Sequence, residues 1–277
     1  MGHTKETVGV PSETFRRAGV VLAIAFLAAC GAGERGLEHE TTLFERTRGE
    51  CEPERAPCGR LLLQYPVFAG GDDAEIRERL NAVVRGMVLQ PIFSETGPVD
   101  PEAAAAEFLG EYERARADLP DSASTARWYL ERRVAVVHEA NGIIGLRFAE
   151  DTYTGGAHPL STVRYGSFDL DDGHRLRLDE IVVEGAVPRL TEAGERAFRE
   201  VRGVPPERSL TEAGFWFRND VFKLSDNFTF THAGLVFRWD PYEIAPYALG
   251  PTEVLLVWED LEGLIRSEVL TRRTSSD

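Results

Sequence analysis

The strongest constraint on the fold lies in the middle of the chain, where strand-like runs and turn signals alternate three times. Trp128 to His138 is β-rich, and Asn141-Gly142 after it is a two-residue hairpin signal, because both residues tolerate positive φ. Ile143 to Tyr153 returns, Thr154-Gly155-Gly156-Ala157-His158-Pro159 reverses the chain again, and Val163 to Leu170 follows. Asp171-Asp172-Gly173 makes the third turn, with Arg175 to Leu178 continuing the meander. Tight turns of this kind join antiparallel neighbours, so an antiparallel sheet is expected here.

Helices flank it. Leu61 to Phe68 predicts a strand, broken by Gly70-Gly71-Asp72-Asp73. Ile76, Leu80, Val83, Val84, Met87 and Val88 then fall at helical spacing, with Asp72 and Glu75 as the expected capping box. Asp100-Pro101, a cap followed by a first-turn proline, opens a second helix through Phe108 and Tyr112 toward Leu119. Residues 186–202 predict a third helix, Phe228 to Thr231 and Leu235 to Trp239 a hairpin around Ala233-Gly234, and Val254 to Trp258 a last strand. The expected class is α+β: antiparallel sheets with a few packed helices, after an N-terminal lipoprotein signal. The composition fits, with 277 residues, 43% hydrophobic and 28% charged, and it excludes a disordered, collagen-like or multi-pass membrane chain.

The N-terminus carries a signal of another kind. After Arg16 and Arg17 comes an uncharged run of 12 residues, 18–29, ending Leu27-Ala28-Ala29 before Cys30-Gly31. A spanning helix needs roughly 20 apolar residues, whereas runs of this length belong to secretory signals. Leu27-Ala28-Ala29-Cys30 resembles the lipobox of bacterial lipoproteins, which implies cleavage before Cys30 and lipid on its sulfur and new amino group. An ordinary secretory signal with a coincidental cysteine is the alternative. The rest of a twin-arginine motif is missing, so general secretion is expected. Several acyl chains hold a protein on a membrane far better than one. Gly31 is not the Asp that retains lipoproteins at the inner membrane of many enteric bacteria, which places the chain on the outer membrane, facing the periplasm, if the cell has two.

Cys51 and Cys58 remain as an even pair in an oxidising compartment, read as a disulfide, with a half-built metal site as the alternative. The expected organisation is a signal peptide over 1–29, a lipidated flexible tether over 30–59, α+β domains over 60–150 and 151–268, and a tail over 269–277. Loss of the signal leaves 28 basic against 44 acidic residues, a charge near −16. Such a chain repels phosphate backbones, so no nucleic-acid partner is expected.

Several stretches carry a family resemblance. Tyr153-Thr154-Gly155-Gly156-Ala157-His158, Phe168-Asp169-Leu170 with Asp172-Gly173, and Leu176-Arg177-Leu178-Asp179-Glu180-Ile181 resemble the opening of domain-of-unknown-function family 3298. Leu235-Val236-Phe237, the run from Pro241 to Gly250, and Glu253-Val254 are similar to its end. Leu61 to Ala149 resembles its usual N-terminal companion, family 4163. The resemblance implies an extracytoplasmic α+β module, found alone in lipoproteins, behind peptidoglycan deacetylase domains, and as the sensor half of a membrane anti-sigma factor that binds lysozyme. The expected form here is the stand-alone lipoprotein, because the other two need a spanning helix with a cytoplasmic domain, or a catalytic domain with metal-binding Asp and His.

Chemistry sought independently gives no catalytic residue, no metal site and no cofactor. The sequence holds no Gly-x-Ser-x-Gly elbow, no His-Glu-x-x-His helix and no phosphate-binding glycine loop. His138, His158, His174 and His232 are scattered, and among 44 acidic residues some carboxylate pair is inevitable. Asp169-Leu170-Asp171-Asp172-Gly173 lacks the ligand steps of a calcium loop and reads as a tight turn. The candidate binding surface is Tyr153, Gly155, Gly156 and His158 with Tyr242, Pro246 and Tyr247. For each group a structural reading competes: a glycine turn held by His158, and a packed crossover at Tyr242–Tyr247. The expected role is a non-catalytic binding module for a cationic envelope partner such as lysozyme, with a glycan-processing enzyme or accessory factor as the alternative. Oligomeric state is not legible.

Overall fold

The computed structural model describes residues 37–51, 57–70, 73–118 and 127–270. Five strands form one sheet in sequence order: β1 (His39–Gly49), β2 (Cys58–Phe68), β3 (Trp128–Ala140), β4 (Ile143–Tyr153) and β5 (Leu160–Asp169). The β3–β4–β5 meander is antiparallel as expected, and Asn141-Gly142 makes its first turn with φ 56° and 71°. β2 and β3 are instead parallel. Parallel neighbours need a long crossover, supplied here by helices α1 (Ala74–Val88) and α2 (Pro101–Ala117).

Both helices start where the sequence punctuates them. Asp73 caps α1, its Oδ1 accepting from the N–H groups of Glu75 (2.9 Å) and Ile76 (3.1 Å), while the expected cap Asp72 lies outside the described residues. Asp100 caps α2 by accepting from the N–H of Ala103 at 2.7 Å. Ile76, Leu80, Val84 and Val88 of α1 and Phe108 and Leu109 of α2 pack on Leu61, Leu63, Val134, Leu146 and Phe148 of the sheet. Tyr112 lies so close to β2 that a Cβ on Gly59 would meet its ring at 2.6 Å, which accounts for glycine at that position.

The second half adds two layers. After short helix α3 (Leu178–Ile181) and helix α4 (Val187–Arg202), strands β6 (Phe228–Phe230), β7 (Gly234–Trp239) and β8 (Thr252–Val257) form an antiparallel sheet, and short helix α5 (Ser267–Leu270) closes the described chain. One face of β6–β8 packs on α4, where Phe198 meets Phe215, Phe217, Phe222 and Trp239 at 4.9 to 5.6 Å between ring centroids. The other face lies on β4 and β5. Ser167 Oγ is 3.0 Å from Thr229 Oγ1, and a side chain at Gly145 would collide with Thr229 at 2.8 Å. The order is therefore α1 and α2, five-stranded sheet, three-stranded sheet, α4.

The outer edge of β5 is closed by side chains. The Asn227 amide accepts from the Tyr165 N–H (2.6 Å) and donates to the Val163 carbonyl (2.7 Å), Asp240 accepts from the Val163 N–H (3.0 Å), and Arg175 donates to the Tyr165 carbonyl (2.9 Å). These bonds replace a neighbouring strand and join the two halves.

The structure corrects four expectations. Residues 39–49 of the expected tether form β1, held by backbone pairing to β2 although most of its side chains are exposed. The expected boundary at 150/151 falls inside β4, and the first sheet runs on to Asp169. Arg175 to Leu178 makes a single bridge, Phe168 to Arg175, because the chain turns into α3 at Leu178. Val269, at the start of the expected tail, is buried in the second core, while 271–277 lie outside the described residues. Cys51 and Cys58 form the expected disulfide across the β1–β2 connection, with Cα atoms 5.0 Å apart. Among the described residues no helix is long and apolar enough to cross a membrane.

Candidate functional site

The two loops singled out in the sequence meet at one end of the β3–β4 hairpin. β4 ends at Tyr153, whose hydroxyl donates to the Gly156 carbonyl (2.9 Å), and Gly155 and Gly156 take φ of 87° and 125°. This folds the loop back so that His158 stacks on Tyr247, with ring centroids 3.8 Å apart and planes 20° from parallel. The Tyr247 hydroxyl donates to the Pro159 carbonyl at 2.9 Å, locking one loop to the other. Tyr242 lies 5.8 Å from Tyr247, and exposed Pro246 leads into the short 3-10 turn Tyr247–Leu249. The structural readings hold in part, since these contacts shape both turns, yet the rings stay at the surface: His158 is exposed, Tyr153 and Tyr247 are half-buried, and Tyr242 is 54% exposed.

Tyr242 has φ of 71°. Left-handed backbone costs a bulky residue about 1–3 kcal/mol and persists only where the surroundings impose it. Here the Tyr242 N–H donates to the Ala245 carbonyl (3.1 Å) and Glu243 accepts from the Asp240 N–H, so a tight turn presents the ring outward.

Sequence reasoning missed a fifth ring. Tyr129 pairs across the hairpin with Tyr153, their rings 6.2 Å apart. Counting back from Asn141-Gly142 would set Tyr129 opposite Thr154, but a bulge between Val136 and His138 shifts the register by one residue. Burial first, then the nearby Asp151 and Glu131 carboxylates, push the Tyr129 hydroxyl above its ordinary pKa and keep it neutral. Both carboxylates are themselves paired: Asp151 is 3.6 Å from Arg133, and Glu131 is held by Arg60 and Arg133.

The remaining sequence candidates lie elsewhere. Cys30 is outside the described residues, and Cys51 and Cys58 are consumed in their disulfide. In the turn after β5, Asp169, Asp172 and His174 bring ligand atoms within 4.8 Å of one another. Asp172 accepts from the His174 N–H (2.9 Å) and pairs with its ring (2.6 Å), and Asp169 accepts from the Asp171 N–H (2.8 Å), the turn chemistry expected of this segment.

Comparison with known proteins places these features in two family segments. The family model described as a protein of unknown function, DUF3298, matches residues 179–259. The chain carries a DUF3298 domain. A second model, described as the deacetylase PdaC, matches residues 54–161, the region read as similar to family 4163. The crystal structure of a DUF3298 family protein from Pseudomonas aeruginosa PAO1 aligns with TM-score 0.61 and 18% identity, covering 84% of this chain and 96% of that one. A DUF3298 family member from Bacteroides fragilis aligns with TM-score 0.66 and 21% identity, covering 87% and 98%. At these identities the likeness shows the fold, which is the expected α+β class. No curated protein matches the sequence. The aromatic patch lies at the junction: Tyr129, Tyr153 and His158 belong to the PdaC-like segment, and Tyr242 and Tyr247 to the DUF3298 domain.

Proposed function

We propose that this chain is an exported lipoprotein, anchored through Cys30 in the cell envelope, whose DUF3298 and PdaC-like segments together bind a protein partner through the aromatic patch. The observation that carries the reading is the convergence of two loops far apart in sequence into one exposed cluster, His158 stacked on Tyr247 beside Tyr153 and Tyr242. Fixed tyrosine rings lose little entropy on contact and dominate binding hot spots. Their faces attract guanidinium and ammonium groups, and a net charge near −16 once the signal is lost steers cationic proteins toward the surface. A basic muramidase of the lysozyme class fits that chemistry, with no catalytic step asked of this chain.

A second reading is favoured by the PdaC match: exposed aromatic rings also stack on sugars, so the module would position or process a cell-wall glycan. Titration of the full chain with lysozyme at 20 mM and 200 mM salt, beside soluble peptidoglycan fragments, decides between them. Saturable lysozyme binding that weakens about tenfold or more at the higher salt supports the first reading. Binding or cleavage of the fragments with no lysozyme binding overturns it in favour of the second.

A further inference from the structure

A second candidate lies at the opposite end of the β3–β4 hairpin, where a cavity of about 520 Å³ opens between that turn, the β6–β7 turn and the segment after β8. His138, only 6% exposed, follows the β3 bulge and faces it, and its Nδ1 has no hydrogen-bond partner. Asn141 Oδ1 in the same wall is also buried and unpartnered. Buried polar atoms are rarely left unmatched, and two in one cavity wall call for a ligand that supplies hydrogen. Burial, and to a lesser degree His232, lower the His138 pKa against a smaller opposing backbone hydrogen bond with Ala140, so the neutral ring is favoured and offers one accepting nitrogen.

The walls and mouth narrow the chemistry. Phe230 lies 5.8 Å from His138 and 6.0 Å from Trp258 between ring centroids, and His232 is 5.8 Å from His138. The Trp258 indole N–H donates to the His232 carbonyl at 3.0 Å, fixing that ring. Glu259 and Glu262 line the opening, exposed and in no ion pair among the described residues. Carboxylates at the mouth oppose an anion, and a purely apolar guest would leave both acceptors unmatched. Ring faces with nearby carboxylates are the recognition chemistry of an ammonium group.

We propose that this cavity binds a small organic ammonium ion, its N–H groups directed to Asn141 and His138, its charge to Glu259 and Glu262, and its body to Phe230 and Trp258. Calorimetric titration of the full chain with n-butylammonium, n-butanol and butyrate tests it. Butylammonium should saturate one site, butanol should bind at least about tenfold more weakly, and butyrate should give no binding. Asn141→Gly preserves a turn that needs positive φ while removing the acceptor, and Glu259→Gln with Glu262→Gln neutralises the mouth. Each should weaken butylammonium about threefold or more, with melting temperature nearly unchanged and lysozyme titration unaffected. Equal binding of butanol and butylammonium, no saturable binding of butylammonium, or unaltered affinity in both variants would overturn the proposal.

Discussion

Arg132 ties the end of α1 to β3 and β4 from inside the first core. It sits in the inward phase of β3 between Leu130 and Val134, 2% exposed, where a hydrophobic residue is the ordinary choice. Its guanidinium donates to the carbonyls of Val88 (3.0 Å), Gln90 (2.7 Å) and Pro91 (3.1 Å) at the end of α1, and to Glu150 at 2.7 Å. Those carbonyls have no helical partner, so one side chain caps the helix and ties it to β3 and β4. Replacing Arg132 with Met should cost about 3–5 kcal/mol in urea denaturation, because Glu150 and the carbonyls stay behind unmatched. A loss below about 1 kcal/mol would contradict this role. His138 gives a second prediction. Its folded pKa lies below the ordinary 6.5, so the unfolded chain takes the proton first, and stability falls as pH drops from about 6.5 toward the folded value. His138→Gln should therefore lose less stability than the parent between pH 7 and pH 5, the carboxylate contribution being common to both. The patch residues other than Tyr129 are legible because glycines, prolines and tyrosines mark loops, whereas Tyr129 lies inside β3. Arg132 and His138 are not legible, since a polar residue inside a strand reads as noise until its partners from other elements are known.

At the scale of elements, the β3–β4 and β6–β7 hairpins were legible in the sequence, while β1 and the parallel pairing of β2 with β3 were not. β3, β4 and the β6–β7 hairpin followed from Asn141-Gly142 and Ala233-Gly234. β1 reads as tether in the sequence because only Thr42 and Phe44 of its side chains are half-buried, leaving no alternation, while its backbone pairs with β2 along its whole length. The parallel β2–β3 pairing was equally hidden, since it depends on how α1 and α2 pack and not on any local turn. The disulfide follows directly on β1: Cys51 lies just past its end, and Cys58 is the first residue of β2. Closing so short a loop contributes about 2.5 kcal/mol on the chain-entropy account. Because little apolar surface holds β1, reduction should release that strand first. Hydrogen exchange of the 39–49 amides should rise on reduction while β3 to β5 stay protected. Uniform loss of protection across the sheet would show that β1 is integral to the first core.

The whole molecule is two cores joined along β5, with the Asn227 and Asp240 side chains taking the place of an inter-sheet ladder. That seam lets a loop from each half meet, and the meeting is what makes Tyr153, His158, Tyr242 and Tyr247 one surface. Neither half holds the patch alone, so its integrity should follow that of the seam. Asn227→Ala leaves the Tyr165 N–H and Val163 carbonyl unpaired, and should both lower stability by about 1–3 kcal/mol and weaken partner binding. Composition and charge point to an acidic globular module, but nothing local in the sequence places residues 153 and 247 side by side. The measurement that bears most directly on the account is the affinity of the full chain for lysozyme with and without the paired change His158→Ala and Tyr247→Ala, both proteins checked for equal melting temperature. The paired change should weaken lysozyme binding about thirtyfold, the scale of a central hot spot. Equal affinity in the two proteins would contradict it.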